Sequence, residues 1–158
     1  MPIDTMLETY VQRSIGEAVK AAVPGVYVVE VGMRRGVPET TQQWVTVDPL
    51  AFLPHSTRRD LYDGQELFQV ACFGKFAELN DGAVVDGPFQ LAGRVRAALE
   101  KQDVLVKTYG QATESFVGTL KLHACDRRYQ GEAAMGMDYP ANVHAVILTF
   151  QGTLNVAA

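Results

Sequence analysis

Histidine and cysteine are the side chains here best suited to holding a metal. His123 and Cys125 stand two apart in a segment that reads as a strand, which puts both on one face. Cys72 and His144 lie on other predicted strands and would be the partners that complete such a site. Zinc sites usually carry tighter ligand pairs, and neither cysteine belongs to a CxxC, so the expectation is no metal and structural thiols and imidazoles. His55-Ser56 sets a base beside a hydroxyl, but adjacent residues rarely present a working nucleophile–base pair. Asp60/Asp63 and Asp81/Asp86 read as solvated turn carboxylates rather than acid–base pairs. No GxxxxGK[ST], GxGxxG or GxSxG pattern is present. The expectation is therefore a chain with no catalytic residues and no cofactor. If it were instead a ligand-binding or enzymatic domain, Glu66, Gln69 and His123 would be the polar strand residues to inspect first.

A different pattern stands out. Arg34-Arg35, Arg58-Arg59 and Arg127-Arg128 hold six of the nine arginines, and each pair falls in a segment that reads as a loop between strands. Loops carry function more often than scaffolds do, and the planar guanidinium fork favours interfaces. The loops Met33–Gln43, Asp48–Gln65 and Asp126–Tyr139 each exceed ten residues, a length associated with function or with ordering on binding. The last contains Met135 and Met137, adaptable apolar contacts. These eight residues are the candidate interface; the competing reading is an ordinary solvated surface.

The elements that position them follow from periodicity. Leu7, Val11, Ile15, Ala18 and Ala22 recur at helical steps, with Asp4 as N-cap and Pro24-Gly25 as the stop. Val26–Val31 and Trp44–Val47 read as strands, and Asp63-Gly64 as a turn. Gln65–Gly74 is apolar on both faces, the mark of a central strand. Pro88–Lys101 is a second helix, with Phe89, Ala92, Val95, Ala98 and Leu99 inward. Val104–Thr108 and Glu114–Cys125 are further strands, the latter with Phe116, Leu120, Leu122 and Ala124 on one side. Ala141–Leu154 is the last. Its residues from Val143 onward carry no charge apart from His144, so it is either central in its sheet or paired with a neighbouring subunit. The order α-β-β-β-α-β-β-β gives too few helices for βαβ winding. It predicts a single α+β domain over residues 1–158: a mixed, mainly antiparallel sheet of about five to six strands with two main helices packed on it.

Composition narrows the class. The chain has 158 residues, 47% hydrophobic and 20% charged, which is ordinary globular usage. A net charge of -4 argues against general nucleic-acid binding, which needs a basic footprint. The first residues lack the basic and apolar regions of a signal peptide, and the 20 residues without Asp, Glu, Lys or Arg at the C-terminal end are too polar to span a bilayer. The expectation is no membrane contact and a reducing, cytosolic origin.

Taken together, the leading amphipathic helix, the strand Glu66-Leu67-Phe68-Gln69-Val70-Ala71-Cys72-Phe73, the helix Leu91-Ala92-Gly93-Arg94-Val95-Arg96-Ala97-Ala98-Leu99 and the closing Ala145-Val146-Ile147-Leu148-Thr149-Phe150-Gln151 resemble the tail terminator and tail-completion proteins of long-tailed bacteriophages. The likeness covers most of the chain. It implies a non-enzymatic virion protein, assembled in the host cytoplasm and located at the head-proximal end of the tail. There a hexameric ring would cap the tail tube, stop its growth and dock the head connector. The implied partners are other copies of the chain, the tail tube protein and the connector or neck protein, with DNA passing through the lumen unbound; a negative charge suits that passage. The arginine pairs are not a hallmark of the family. The alternatives are another head–tail joining component, or a small bacterial ligand-binding or enzymatic α+β domain.

Overall fold

A stripe of Leu7, Val11, Ile15 and Val19, repeating every fourth residue, drives the first helix against the core; all four are buried. The computed structural model describes residues 3–30, 43–58, 61–75, 87–100, 102–110, 113–130 and 143–156. In it, helix α1 spans Ile3–Ala22, so Asp4 lies within its first turn rather than ahead of it. The remaining elements are β1 (Tyr27–Val29), β2 (Gln43–Arg58), β3 (Leu61–Lys75), α2 (Pro88–Leu99), β4 (Asp103–Lys107), β5 (Phe116–Gln130) and β6 (Val143–Val156). Their order is the one expected from the sequence.

The strands form one sheet in the order β1-β2-β3-β6-β5-β4. β1 runs parallel to β2, and every other pairing is antiparallel. The fold is α+β, a mixed, mainly antiparallel sheet with two helices. Both helices share one core with one face of the sheet, where Phe68, Val70, Val146, Leu148 and Phe150 meet Val11, Ile15, Leu91 and Val95. On the opposite face Trp44, Ala71, Phe73, Val143, Ala145 and Ile147 form a second buried cluster, with Trp44 stacked on Phe73 at 5.1 Å. This double burial is what the two apolar faces of Gln65–Gly74 require. Pro88 opens α2 as expected, after Gly87, whose φ of 46° suits glycine. The helix start sits so close to β3 that a Cβ at Gly74 would lie 2.6 Å from the Gly87 carbonyl carbon. Within α2, Leu91 is buried while Ala98 is exposed, a small rotation of the expected face.

Several expectations are overturned. The segment Asp48–Gln65 is not a loop: β2 continues to Arg58 and β3 begins at Leu61, so Asp63, Gly64, His55 and Ser56 all lie in strands. Two prolines suggested otherwise. Pro49 sits beside a bulge, and among the described residues β1 pairs with β2 from Trp44 to Thr46, short of both prolines, so Pro49 and Pro54 are compatible with an outer strand edge. Asp126–Gln130 also belong to a strand, the end of β5. Phe116 is 55% exposed, because a register shift between Val106 and Lys107 turns Val117 inward in its place. Finally, β6 pairs with β3 on one side and β5 on the other, so its lack of charge reflects a central position and not a strand shared with a neighbouring subunit.

Helix α1 also guards the sheet's ends. The Ser14 hydroxyl accepts the outward N–H of Lys107 on edge strand β4 at 3.2 Å. On the β1 side the Glu30 carboxyl lies over Gly16, where a Cβ would collide with it. An edge covered by a helix cannot pair freely with other chains.

Candidate functional site

The site is built on one strand. In β3 the alternation that buries Phe68, Val70 and Cys72 runs back to Glu66, and all four have zero exposure. Glu66 is thus a carboxyl on the core face, beneath the first half of α1. Gln12 on α1 reaches down, and its Nε2 donates to Glu66 Oε1. The remaining oxygens of the pair, Glu66 Oε2 and Gln12 Oε1, have no hydrogen-bond partner among the described residues. Burial pushes the Glu66 carboxyl up to about 7; the Gln12 hydrogen bond opposes this, and the nearby Glu8 charge adds to it. An open groove of about 260 Å³ lies above, lined by Glu8, Thr9, Gln12, Arg13, Glu30 and Pro49. The Arg13 guanidinium is held over the Tyr109 ring at 5.3 Å. Glu30 pairs with Lys20 at 3.1 Å, and that hydrogen bond holds the Lys20 ammonium above its usual range.

Chemically, Glu66 is a carboxyl poised between acid and base near neutral pH, and among the described residues its hydrogen-bond partner is an amide, not a nucleophile or a second carboxylate. The other two polar strand residues are not gathered with it. Gln69 lies on the opposite face, in register with Asp48 and Thr149. His123 is exposed and bonds Thr153 Oγ1 at 2.6 Å. His123 is also the extra residue of a bulge between Leu122 and Ala124, which resets the alternation. The two-residue spacing therefore no longer sets His123 and Cys125 on one face: Cys125 stands in register with Phe150, and Cys72 is buried in the core. Among the described residues no three His, Cys, Asp or Glu side chains gather as a metal site.

Of the eight candidate interface residues, three are described. Arg34, Arg35, Arg59, Met135 and Met137 lie outside the described residues. Arg58 is the last residue of β2, and Arg127 and Arg128 lie in β5, so these three are strand residues and not loop residues as expected. Arg127 and Arg128 are both exposed and on opposite faces, in register with Leu148 and Ile147. Arg127 caps a stack that the sequence did not suggest. Its guanidinium lies 5.2 Å from the Phe89 ring, Phe89 stacks on Tyr129 at 5.5 Å, and Tyr129 stacks on His144 and shares a 2.6 Å hydrogen bond with its Nδ1. This ties the start of α2 to β5 and β6. The signal was partly present: Arg127 and Tyr129 are two apart in the chain and so share a strand face.

Other exposed large apolar side chains sit at the two ends of the strand order. Leu105 and Phe116, each 55% exposed, lie at the β4–β5 end beside the exposed Lys107 and Lys121. Leu50 (48%) and Tyr27 (36%) lie at the β1–β2 end, Leu50 next to the groove residue Pro49.

No helix among the described residues is long and apolar enough to cross a membrane. No family model matches the chain. No curated protein matches it either. A solved structure, 13% identical, is similar over 98% of this chain and 96% of its own length, with a TM-score of 0.50. At that identity the likeness is one of fold alone: the same overall arrangement of chain is built from a very different sequence.

Proposed function

We propose that this chain is a structural subunit of a long-tailed phage virion, a tail terminator. Its copies close into a ring, six by analogy with the family it resembles, which caps the tail tube, ends tube growth and presents a docking surface to the head connector. DNA passes through the lumen without specific binding. One observation carries the reading: unlike surfaces at the two ends of the sheet each present large exposed apolar side chains, Leu105 and Phe116 at one end, Leu50 and Tyr27 at the other. A closed ring is made by heterologous contacts, which need two different patches on every subunit. Lone exposed apolar residues need no explanation, but Leu105 and Phe116 ringed by the charged Asp103, Lys107 and Lys121 fit the anatomy of an interface, an apolar centre with a polar rim.

Tail length tests the reading. In phage lysates lacking this chain, tubes are expected to overgrow, and adding it back should restore a uniform length. The double variant Leu105→Asp, Phe116→Asp changes only exposed side chains. It should keep the fold and lose at least about tenfold in assembly, since buried hot-spot contacts commonly contribute about 1–2 kcal/mol or more each. Normal tail length without the chain would end the proposal.

A second reading, a small ligand-binding or enzymatic α+β domain, is favoured by the buried Glu66 beside its groove. It predicts that Glu66→Gln abolishes activity toward a ligand held in that groove; tail assembly should then be indifferent to the chain.

A further inference from the structure

The Gln12–Glu66 pair lacks one thing. Gln12 Nε2 already donates to Glu66 Oε1, and the two oxygens left over, Glu66 Oε2 and Gln12 Oε1, are both acceptors while the carboxyl is ionised. Two acceptors cannot bond each other, and burying them unpaired is costly. A proton on Glu66 removes the conflict, because its O–H can donate to the Gln12 carbonyl oxygen. The pair then becomes a cyclic acid–amide dimer with two hydrogen bonds, joining α1 to the centre of β3.

We propose that Glu66 and Gln12 form a proton-operated latch: closed with Glu66 protonated, it seats the first half of α1 on the sheet, and loss of the proton releases that half-helix. The step is simple. The carboxyl O–H bond breaks, the proton goes to water, and the carboxylate turns toward solvent entering through the groove above Gln12. The surroundings favour the closed form at low pH. From α1, Glu8 repels a carboxylate, while Arg13 is occupied with the Tyr109 ring. From beyond β1, Glu30 is paired with Lys20. The strand neighbours in register are Phe52 on β2 and Gly152 on β6, neither ionisable, and the in-phase residues of β3 are Gly64 and Phe68. Among the described residues, the cations tied to this region are Arg13, held over Tyr109, and Lys20, held by Glu30, so neither is committed to keeping Glu66 ionised. The burial that pushes the carboxyl from 4.5 up to about 7 sets the range in which the latch works, between those two values. The latch rests on the pair's own geometry and is independent of the ring.

Hydrogen exchange tests it on the full-length chain. Protection of the α1 amides from Leu7 to Gly16, corrected for intrinsic rate, should fall by up to about tenfold per pH unit between about 4.5 and 7 and level off above that, while α2 amides hold steady. Glu66→Gln replaces the acid by a neutral amide that can still pair with Gln12, so its α1 protection should not change with pH. Glu8→Gln, an exposed change, removes a repelling charge, so Glu66 should ionise more readily in the closed state, and the fall in protection should level off at lower pH, with a smaller total loss, than in the wild type. In the wild type, the Glu66 carboxyl carbon followed by NMR should titrate near 7. A Glu66 titration in the ordinary carboxylate range, α1 protection that ignores pH, or the same fall in Glu66→Gln would each overturn the latch.

Discussion

Replacing Phe150 with alanine is expected to lower the unfolding free energy by about 3–5 kcal/mol, the usual cost of removing a fully buried aromatic ring. Phe150 is the best place to test the packing because every level of the structure converges on it. It has zero exposure, and it lies on β6 between the register partners Phe68 and Cys125. Its ring stacks on Phe68 at 5.3 Å, and both belong to the core shared with the helices. Deleting it leaves a cavity at the centre of the sheet, where neighbouring strands hold the backbone and collapse is limited. Urea unfolding should show a lower midpoint with an unchanged slope. A loss below about 1 kcal/mol would place Phe150 outside a tightly packed core.

The second large effect is on stability against pH. The Glu66 carboxyl is raised from 4.5 in the unfolded chain to about 7 in the fold. Between those values the native state holds a proton that the unfolded state has lost. The slope of unfolding free energy with pH is proportional to protons bound by the unfolded state minus those bound by the native state, so it is negative there. Stability from this group is fully present below about 4.5, falls as pH rises, and is lost once pH passes about 7. At about 1.36 kcal/mol for each pH unit between the two values, the loss is about 3 kcal/mol. Other carboxylates titrate in the same range, so the quantity to measure is the wild type minus Glu66→Gln, by chemical unfolding at about pH 4.5, 6 and 8, which brackets that window. A flat difference would mean that Glu66 is solvated in the native state.

How much of this was legible in the residues depends on what each signal reports. Both helices and the order of all six strands follow from apolar periodicity, a direct image of burial. The central placement of Gln65–Gly74 could be read because both its faces are apolar. Glu66 was legible in part: it stands in phase with Phe68, Val70 and Cys72, which puts it on the core face, but nothing in the chain announces Gln12, 54 residues away, as its partner. The long β2–β3 hairpin was not legible. Pro49, Pro54 and Asp63-Gly64 signal turns locally, and an outer edge of β2 with no strand partner beyond Thr46 among the described residues is what makes the prolines compatible with a strand. Bulges did the remaining damage. One extra residue near Phe116 and another at His123 invert the alternation, exposing a phenylalanine and breaking the shared phase of His123 and Cys125.

Of the three arginine pairs, Arg127-Arg128 is the one whose side chains the structure describes. Read as loop residues, they suggested one shared patch. In the fold, Arg127 and Arg128 point to opposite faces of β5, and Arg127 lies on Phe89. Exposed cation–π contacts of this kind contribute about 0.5–1 kcal/mol, so Arg127 helps hold the start of α2. Among the described residues, large exposed apolar side chains at the sheet's two ends are Leu105, Phe116, Leu50 and Tyr27.

The proposed tail-terminator role requires copies of this chain to close into a ring. Native mass spectrometry of the purified chain, alone and after incubation with tail tubes, measures that directly. Six copies of a 17.3 kDa chain give a species of about 104 kDa, and no ladder of open oligomers should extend beyond it. A chain that stays at 17.3 kDa in both samples, or forms only dimers, would contradict the account.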